Sequence, residues 1–153
     1  MRWPLPVLLA LLVLLPAVLV CPALAADGNK VGYVSFNRVQ IELAGGDARI
    51  EVDYALDPGM PLIIMLFGGG DLQKKVERSL NFPSLRPEEV GLTRAVFSAD
   101  GAAQDYGNGA FWFPAHDFGA TFPLVQVKAP GYSMTYRNAD SVPDGFGYFA
   151  KAA

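Results

Sequence analysis

The sequence predicts a mainly β domain, an antiparallel β-sandwich with one short α-helix inserted after a central strand. Residues 38–56 alternate between apolar and polar side chains, and later runs of β-branched and aromatic residues are separated by Gly, Pro, Asn and Asp. Residues 72–80 repeat an apolar side chain every four positions, which is typical of a helix. An open sheet of the α+β class is the alternative.

The clearest element is a hairpin within residues 38–56. Gly45-Gly46 suits a two-residue turn, because such turns require positive φ angles. A shift of one residue would turn charged side chains into the core, so the pattern fixes the register. The predicted cross-strand pairs are Leu43 with Ala48, Ile41 with Ile50 and Val39 with Val52 on the apolar face, and Glu42 with Arg49 and Arg38 with Asp53 on the charged face.

The other elements follow from shorter patterns. Asp57-Pro58-Gly59 predicts a turn, and the continuous apolar run Pro61–Phe67 predicts a strand buried on both faces. Residues 72–80 predict a short helix that ends near Phe82-Pro83. Further strands are expected at Gly91–Ser98, Ala110–Pro114, Leu124–Lys128, Tyr132–Arg137 and Phe146–Ala150.

The first 25 residues read as a secretory signal peptide. Arg2 gives a short positive start, the run Leu5–Val20 is apolar, and Ala23-Leu24-Ala25 is a small-x-small cleavage site. A retained membrane anchor is the alternative, although the apolar run is shorter than the roughly 20 residues of a bilayer span. We therefore expect residues 26–153 to form one exported domain, either secreted or held at the cell surface.

Composition narrows the classes of partner for this exported chain. Without Arg2 the 12 basic residues become 11, against 15 acidic ones, so the net charge is 11 − 15 = −4. A nucleic-acid-binding protein needs a basic face, which this composition argues against. Cys21 lies within the signal segment, so the exported chain contains no cysteine and has no disulfide framework.

The glycine-rich stretch Gly68-Gly69-Gly70 resembles a phosphate-binding loop only superficially. A Rossmann fingerprint would need glycine at Gln73, and a P-loop would need a hydroxyl residue after its lysine, where Val76 follows Lys75. Asp71 places a negative charge at the helix N-terminus and can pair with Lys75. We expect a flexible strand-to-helix connection capped by Asp71, with no nucleotide or other cofactor.

The single histidine is the main catalytic candidate. His116 has a side-chain type suited to acid–base chemistry, and Asp117 follows it directly. No G-x-S-x-G motif is present, and neighbouring residues on a strand point to opposite faces. A surface or loop histidine is therefore expected. A hydrolase with an irregular site is the alternative, and it requires His116 to share a pocket with Asp105 or Asp117 and a serine.

A calcium site is a further alternative in the segment SADGAAQDYGNG. Asp100, Asp105 and Asn108 offer oxygen ligands on a glycine-rich loop. Their spacing does not match the EF-hand loop, which places acidic or amide groups at alternate positions before a glycine. A hairpin loop is the simpler interpretation, and we expect no metal.

Aromatic residues are concentrated in the last third of the chain. Eleven of the 17 aromatic residues that follow the signal segment lie between Tyr106 and Phe149. In Phe111-Trp112-Phe113 the indole points to the opposite face from the two phenyl rings. Core packing explains most of these rings. Tyr106, Trp112 and Phe118 are the candidates for a platform that binds a sugar ring or a protein partner.

Three motifs, ARIEVDYALD, FGGGDL and YRNADSVPDGFGYF, carry a resemblance to small secreted archaeal proteins with no assigned role. The resemblance runs through most of the chain after the signal segment. The shared motifs are structural, so the resemblance implies an exported domain and brings no catalytic residues with it.

Together these patterns favour an exported, non-enzymatic domain that binds or assembles at the cell surface. The expected partner is a protein or a glycan, held by the aromatic region around Trp112 or by an uncovered strand edge. Contact with a membrane is expected only through an uncleaved signal segment, and nucleic acid and nucleotides are not expected as ligands.

Overall fold

A computed structural model of the protein describes residues 28–150, so the predicted signal peptide lies outside the described residues. This part of the chain forms ten strands and two helices, which confirms the mainly β prediction. In chain order the elements are β1 Lys30–Val31, β2 Val34–Ala44, β3 Asp47–Leu56, α1 Met60–Phe67, α2 Gly70–Leu80, β4 Leu85–Val90, β5 Arg94–Ala99, β6 Gln104–Gly107, β7 Ala110–Phe113, β8 His116–Ala129, β9 Tyr132–Val142 and β10 Phe146–Phe149.

The strands form two sheets. The larger one has the order β4-β5-β3-β2-β8-β9, with β1 added beside β2, and the smaller one has the order β10-β7-β6. The pairs are antiparallel except β2 with β8, which run parallel. Five pairs of consecutive strands form hairpins, namely β1–β2, β2–β3, β4–β5, β6–β7 and β8–β9, whereas β8 reaches β2 only after the intervening helices and strands.

The predicted hairpin is β2–β3, and its register is confirmed. Val39 lies opposite Val52, and Glu42 lies opposite Arg49. Gly45 has a φ of 61°, as the tight turn requires. Arg38 Nη2 lies 2.6 Å from Asp53 Oδ2, so the charged face carries the expected ion pair. Local patterning alone therefore specifies this part of the sheet.

One face of the larger sheet is covered by α2 and the smaller sheet. The apolar stripe of α2, at Leu72, Val76 and Leu80, is fully buried in the same cluster as the inward residues of β2 and β3. The predicted helix is thus confirmed, and Asn81 ends it with a φ of 57°. On the small sheet, Phe113 packs into that cluster as well.

The segment Pro61–Phe67 was predicted as a buried strand, and this prediction is wrong. The segment forms the helix α1, so the domain contains two helices rather than one. Gly59 and Gly68, with φ angles of 88° and 91°, bound α1 on both sides. Pro61 stands in its first turn, where a missing N–H breaks no helical hydrogen bond. Within residues 28–150, no helix has the length and apolar character needed to cross a membrane.

The two edges of the larger sheet differ. At one edge, β4 carries Pro87, Glu88 and Glu89, and its pairing with β5 is interrupted by a register shift at that point. These features block the addition of another strand. At the other edge, β9 begins with Tyr132–Tyr136, a run without proline or charge, and no described strand pairs with its outer side.

Candidate functional site

The smaller sheet exposes an aromatic face formed by Tyr106, Trp112 and Phe149. Trp112 is 41 % exposed, Tyr106 69 % and Phe149 71 %. Gly147 pairs with Trp112, which places Phe149 two residues further along the same face. The Tyr106 hydroxyl donates a hydrogen bond to Gln104 Oε1 at 3.3 Å, and Gln104 also pairs with Trp112. The sequence left open whether Trp112 is buried or exposed, and in the structure its side chain is exposed while Phe113 is buried.

The indole of Trp112 lies flat over the backbone of the segment that leads into β10. A Cβ atom placed on Gly145 would lie 2.7 Å from Trp112 Cζ2, so only glycine leaves room for the ring. One side of the indole is therefore covered by backbone and the other faces outward. Phe118 lies elsewhere: its ring is buried on β8, 5.2 Å from the ring centre of Phe122. The third candidate platform residue is thus part of the core.

His116 lies at the start of β8, half-buried against the end of α2, and not at the exposed position that the sequence indicated. Its Nε2 is 2.8 Å from the carbonyl oxygen of Leu80, and the ring stacks on Phe82 with 3.9 Å between ring centres. Burial lowers the pKa of His116, while the hydrogen bond to Leu80 and the charge of Asp117 act in the opposite direction. A neutral imidazole donating Nε2–H to Leu80 fits this environment.

A cavity of about 110 Å³ lies beside His116. Ser84 and Asp100 also line it, so a histidine, a serine and a carboxylate share one cavity, although not with Asp105 or Asp117. The side chain of Asp100 forms an ion pair with Arg86, and Nε2 of His116 is already bonded to Leu80. The cavity is also well below the roughly 300–1,000 Å³ of typical ligand pockets.

The three candidate calcium ligands have separate local roles. Asp105 Oδ1 accepts a hydrogen bond from the backbone N–H of Gly107 at 2.7 Å, within the turn between β6 and β7. Asn108 adopts a φ of 53° in the same turn, and Asp100 pairs with Arg86. Among residues 28–150, no group of three or more His, Cys, Asp or Glu side chains is arranged to hold a metal ion.

The glycine-rich stretch joins two helices rather than a strand and a helix, which corrects the sequence expectation. Gly69 is the N-cap of α2, and Asp71 lies in the first turn without capping it. Lys75 Nζ lies 2.8 Å from Asp71 Oδ2, which confirms the predicted pair. The Tyr33 hydroxyl donates to the same carboxylate at 2.8 Å. The bonds from Lys75 and Tyr33 lower the pKa of Asp71, and burial together with Asp71 raises the pKa of Tyr33 to about 12.

The feature that the sequence interpretation missed is an exposed apolar surface on α1. We call it the α1 surface, and it consists of Leu62, Ile63, Met65, Leu66 and Phe67, which are 48–84 % exposed. No residue of α1 is buried, and none is polar. Ile64 alone packs against the edge of the core. The described domain therefore presents five large apolar side chains to solvent on one short helix.

Hydrogen bonds and ion pairs fix the two ends of α1 to the domain. Lys30 Nζ lies 2.8 Å from Asp57 Oδ1, and the backbone N–H of Asp57 donates to the Tyr33 carbonyl at 2.9 Å. Beyond α1, Asp71 binds both Tyr33 and Lys75. The root of α1, the first residues of the described chain and the first turn of α2 thus meet at one end of the molecule.

The sequence contains signs of α1 that the strand interpretation overlooked. Proline directly after a Gly-Met pair suits the first turn of a helix. Only Ile63 and Ile64 of the eight residues are β-branched, whereas leucine and methionine are good helix formers. An apolar run of this length has no alternating pattern, and periodicity alone cannot distinguish a buried strand from a helix.

Comparison with known proteins adds no relative from which a site could be transferred. No family model, no curated protein and no solved structure matches this chain.

Proposed function

We propose that the protein is an exported, non-enzymatic binding domain that attaches to an apolar surface at the cell envelope through α1. The observation that carries this proposal is the exposure of Leu62, Ile63, Met65, Leu66 and Phe67 on one helix. An apolar patch of this kind, several hundred Å² in extent, is typical of an interaction site on a soluble domain.

The composition of α1 supports a role in contact rather than in folding. A helix of eight residues is marginally stable by itself in water. This one has no acidic residue in its first turn and no basic residue in its last, so charges do not stabilise it. Its side chains contribute little to the core of residues 28–150. Covering α1 with an apolar partner therefore stabilises the helix and removes its side chains from water.

The hydrolase alternative receives less support from the same structure. His116 directs Nε2 to the Leu80 carbonyl, and Asp100 is engaged by Arg86. The tautomer that donates Nε2–H leaves Nδ1 as the only nitrogen able to act as a general base, and such a base needs its nucleophile within hydrogen-bond reach. Ser84 lines the cavity, yet within residues 28–150 no hydrogen bond joins it to His116. A structural role for His116 accounts for each of these contacts.

The proposal is tested by fractionating cells that export the protein. We expect the wild type to remain with the envelope and the triple variant Leu62→Ser, Met65→Ser, Phe67→Ser to appear in the medium. These side chains are exposed, so the variant should unfold at nearly the same temperature. Tyr132→Ser is the matched control, because it removes an exposed ring that belongs neither to α1 nor to the aromatic face. Equal envelope retention of the wild type and the triple variant would overturn the proposal.

A second contact surface is proposed on the aromatic face, with a glycan as its ligand. The outward side of the Trp112 indole is open while its other side rests on the backbone near Gly145, as a stacking platform for a sugar ring requires. Trp112 is the only tryptophan after the signal segment, so its fluorescence reports on this face alone. Titration with soluble cello- and chito-oligosaccharides should change that fluorescence, and Tyr106→Ala should weaken the response. No saturable change with either sugar series would exclude these glycans.

A further inference from the structure

We propose that the apolar surface that receives α1 is a lipid membrane with anionic headgroups, and that Lys74 and Arg78 bind those headgroups. This inference rests on the proposed function, because it names the surface to which α1 attaches. It differs from the expectation that only an uncleaved signal segment would contact a membrane. The partner is defined by its chemistry: acyl chains around the helix and phosphate groups beside it.

The distribution of exposed side chains around α1 favours lipid over a protein groove. At 100° per residue, Met65, Leu62, Leu66, Ile63 and Phe67 span about 200° of the helix circumference. The remaining arc holds Met60, Pro61 and Ile64, which are partly buried. A helix that packs against one partner needs an apolar stripe roughly 100° wide. Acyl chains surround an inserted helix on every side that the domain leaves open.

The size of the α1 surface argues against a second copy of the chain as the partner. Five side chains exposed to this extent offer on the order of 600 Å², which is less than the roughly 800 Å² per partner of a stable interface. In an isologous dimer each helix would cover one side of the other and leave the rest of its wide apolar arc in water. A bilayer has no such limit on area.

Charge next to α1 is also suited to a lipid surface. Lys74 and Arg78 lie one turn apart on α2, and both side chains are exposed. Neither forms an ion pair with a carboxylate of residues 28–150. Asp57 and Asp71 pair with lysines, whereas Glu77, directly before Arg78 on α2, accepts a hydrogen bond from Gln73. Lys74 and Arg78 are thus exposed cations on the helix that follows α1, so attraction to anionic headgroups can accompany insertion of α1.

The test is co-sedimentation of the chain from Ala26, which contains every described strand and helix, with vesicles. One vesicle is phosphatidylcholine alone and the other contains about 30 % phosphatidylglycerol. We expect binding to both, and tighter binding to the anionic one. Leu62→Ser, Met65→Ser, Phe67→Ser should lower the partition coefficient at least 100-fold, since each large side chain contributes roughly a factor of ten. Phe67→Leu should bind like the wild type, and Tyr132→Ser, which removes an exposed ring outside both α1 and the aromatic face, is the control for nonspecific loss of an exposed ring.

A second pair of variants isolates the role of charge. Lys74→Gln with Arg78→Gln should weaken binding to the anionic vesicle about fivefold for each charge and leave binding to the neutral vesicle unchanged. Arg137→Gln removes an exposed cation from β9 and should change neither. Equal loss on both vesicles would overturn the assignment of Lys74 and Arg78 to headgroups.

Other occupants of α1 give different results in the same experiments. If light scattering shows that the wild type is a dimer and the triple serine variant is a monomer, the partner of α1 is a second copy of the chain. That result would overturn the lipid proposal. Amide exchange without vesicles compares the chain from Met1 with the chain from Ala26. If exchange in α1 is slower in the chain from Met1, residues 1–25 cover α1, and the lipid proposal is overturned. If envelope retention of the protein requires α1 while the wild type binds neither vesicle, the proposed attachment through α1 is supported and only the lipid inference fails.

Discussion

Replacing His116 by alanine is expected to destabilise the fold by about 2 kcal/mol. The imidazole donates Nε2–H to the carbonyl of Leu80, in the last turn of α2, where carbonyls lack helical partners. A net hydrogen bond of this kind contributes about 1 kcal/mol. The ring also stacks on Phe82 at 3.9 Å, and an aromatic pair contributes roughly another 0.5–1.5 kcal/mol. Both contributions disappear in the alanine variant.

Urea unfolding of the wild type and the variant measures this difference. The midpoint should fall while the slope of the transition stays the same, because the surface exposed on unfolding hardly changes. Asp117→Ala is the matched control. Its side chain is exposed, and Asn81 binds only its backbone carbonyl, so the change should stay within about ±0.5 kcal/mol. His116→Gln, which keeps a donor, should recover part of the loss.

The result that would refute this reasoning is a change below about 0.5 kcal/mol in His116→Ala. It would mean that His116 is a surface residue without structural weight, as the sequence alone indicated. An equal loss in Asp117→Ala would point instead to a general sensitivity of β8. Loss of a hydrolytic activity in His116→Ala, with stability unchanged, would revive the enzyme alternative at the cavity beside it.

Three further outcomes are expected. Burial lowers the pKa of His116 in the folded state, so the unfolded chain binds the proton first as the pH falls. The free energy of unfolding should therefore be at its full value above about pH 6.5 and should decrease below it, by at most about 1.4 kcal/mol per pH unit. Urea unfolding at several pH values measures this slope, and His116→Gln should remove it. Tyr148→Phe removes a 2.5 Å hydrogen bond to the Gly45 carbonyl, so thermal unfolding should show a loss of about 1 kcal/mol in the free energy of unfolding. An unchanged stability would contradict the role of this bond as a link between the two sheets. Gly119→Ala should cost roughly 1–3 kcal/mol because its Cβ would overlap a backbone carbonyl of α2, whereas Gly70→Ala, in open space at the start of α2, should be neutral or stabilising.

Elements with a complete local pattern were predictable from the sequence. The hairpin β2–β3 combines alternation, a glycine turn and opposite charges, and each of these independently selects the pairing of Val39 with Val52. Helix α2 likewise shows its stripe at Leu72, Val76 and Leu80, all of them buried. Most later strands also fall where breaks in the pattern placed them. The parallel contact of β2 with β8 left no local trace, because it joins segments far apart in the chain.

Elements that break a local rule were not predictable in the same way. Strand β4 contains Pro87 and two glutamates, a composition that strands ordinarily avoid and that only an edge position tolerates. Helix α1 is apolar throughout, and such a run is normally buried. The sequence interpretation therefore placed it inside the sheet. The pattern gives the hydrophobicity of a segment but not what covers it, and that depends on the packing of the whole domain.

The candidate site was predicted only in part for the same reason. Strand alternation places Trp112 on the opposite face from Phe111 and Phe113, but which face is exposed became clear only from the structure. The burial of Phe118 and the contacts of His116 depend on α2 packing across β8, which no local pattern specifies. The α1 surface, the strongest interaction candidate, was absent from the prediction because its residues look like core.

The unequal edges of the larger sheet limit the stoichiometry of assembly. Pro87 and the two glutamates of β4 prevent another strand from pairing with it, so the larger sheet can be extended only at β9. If two copies pair through β9, each uses its one open edge, and the joined sheet ends at both sides in a β4 strand. Growth then stops at two subunits, because a fibre would need two open edges on every copy. The domain can be concentrated on a surface without polymerising through its larger sheet.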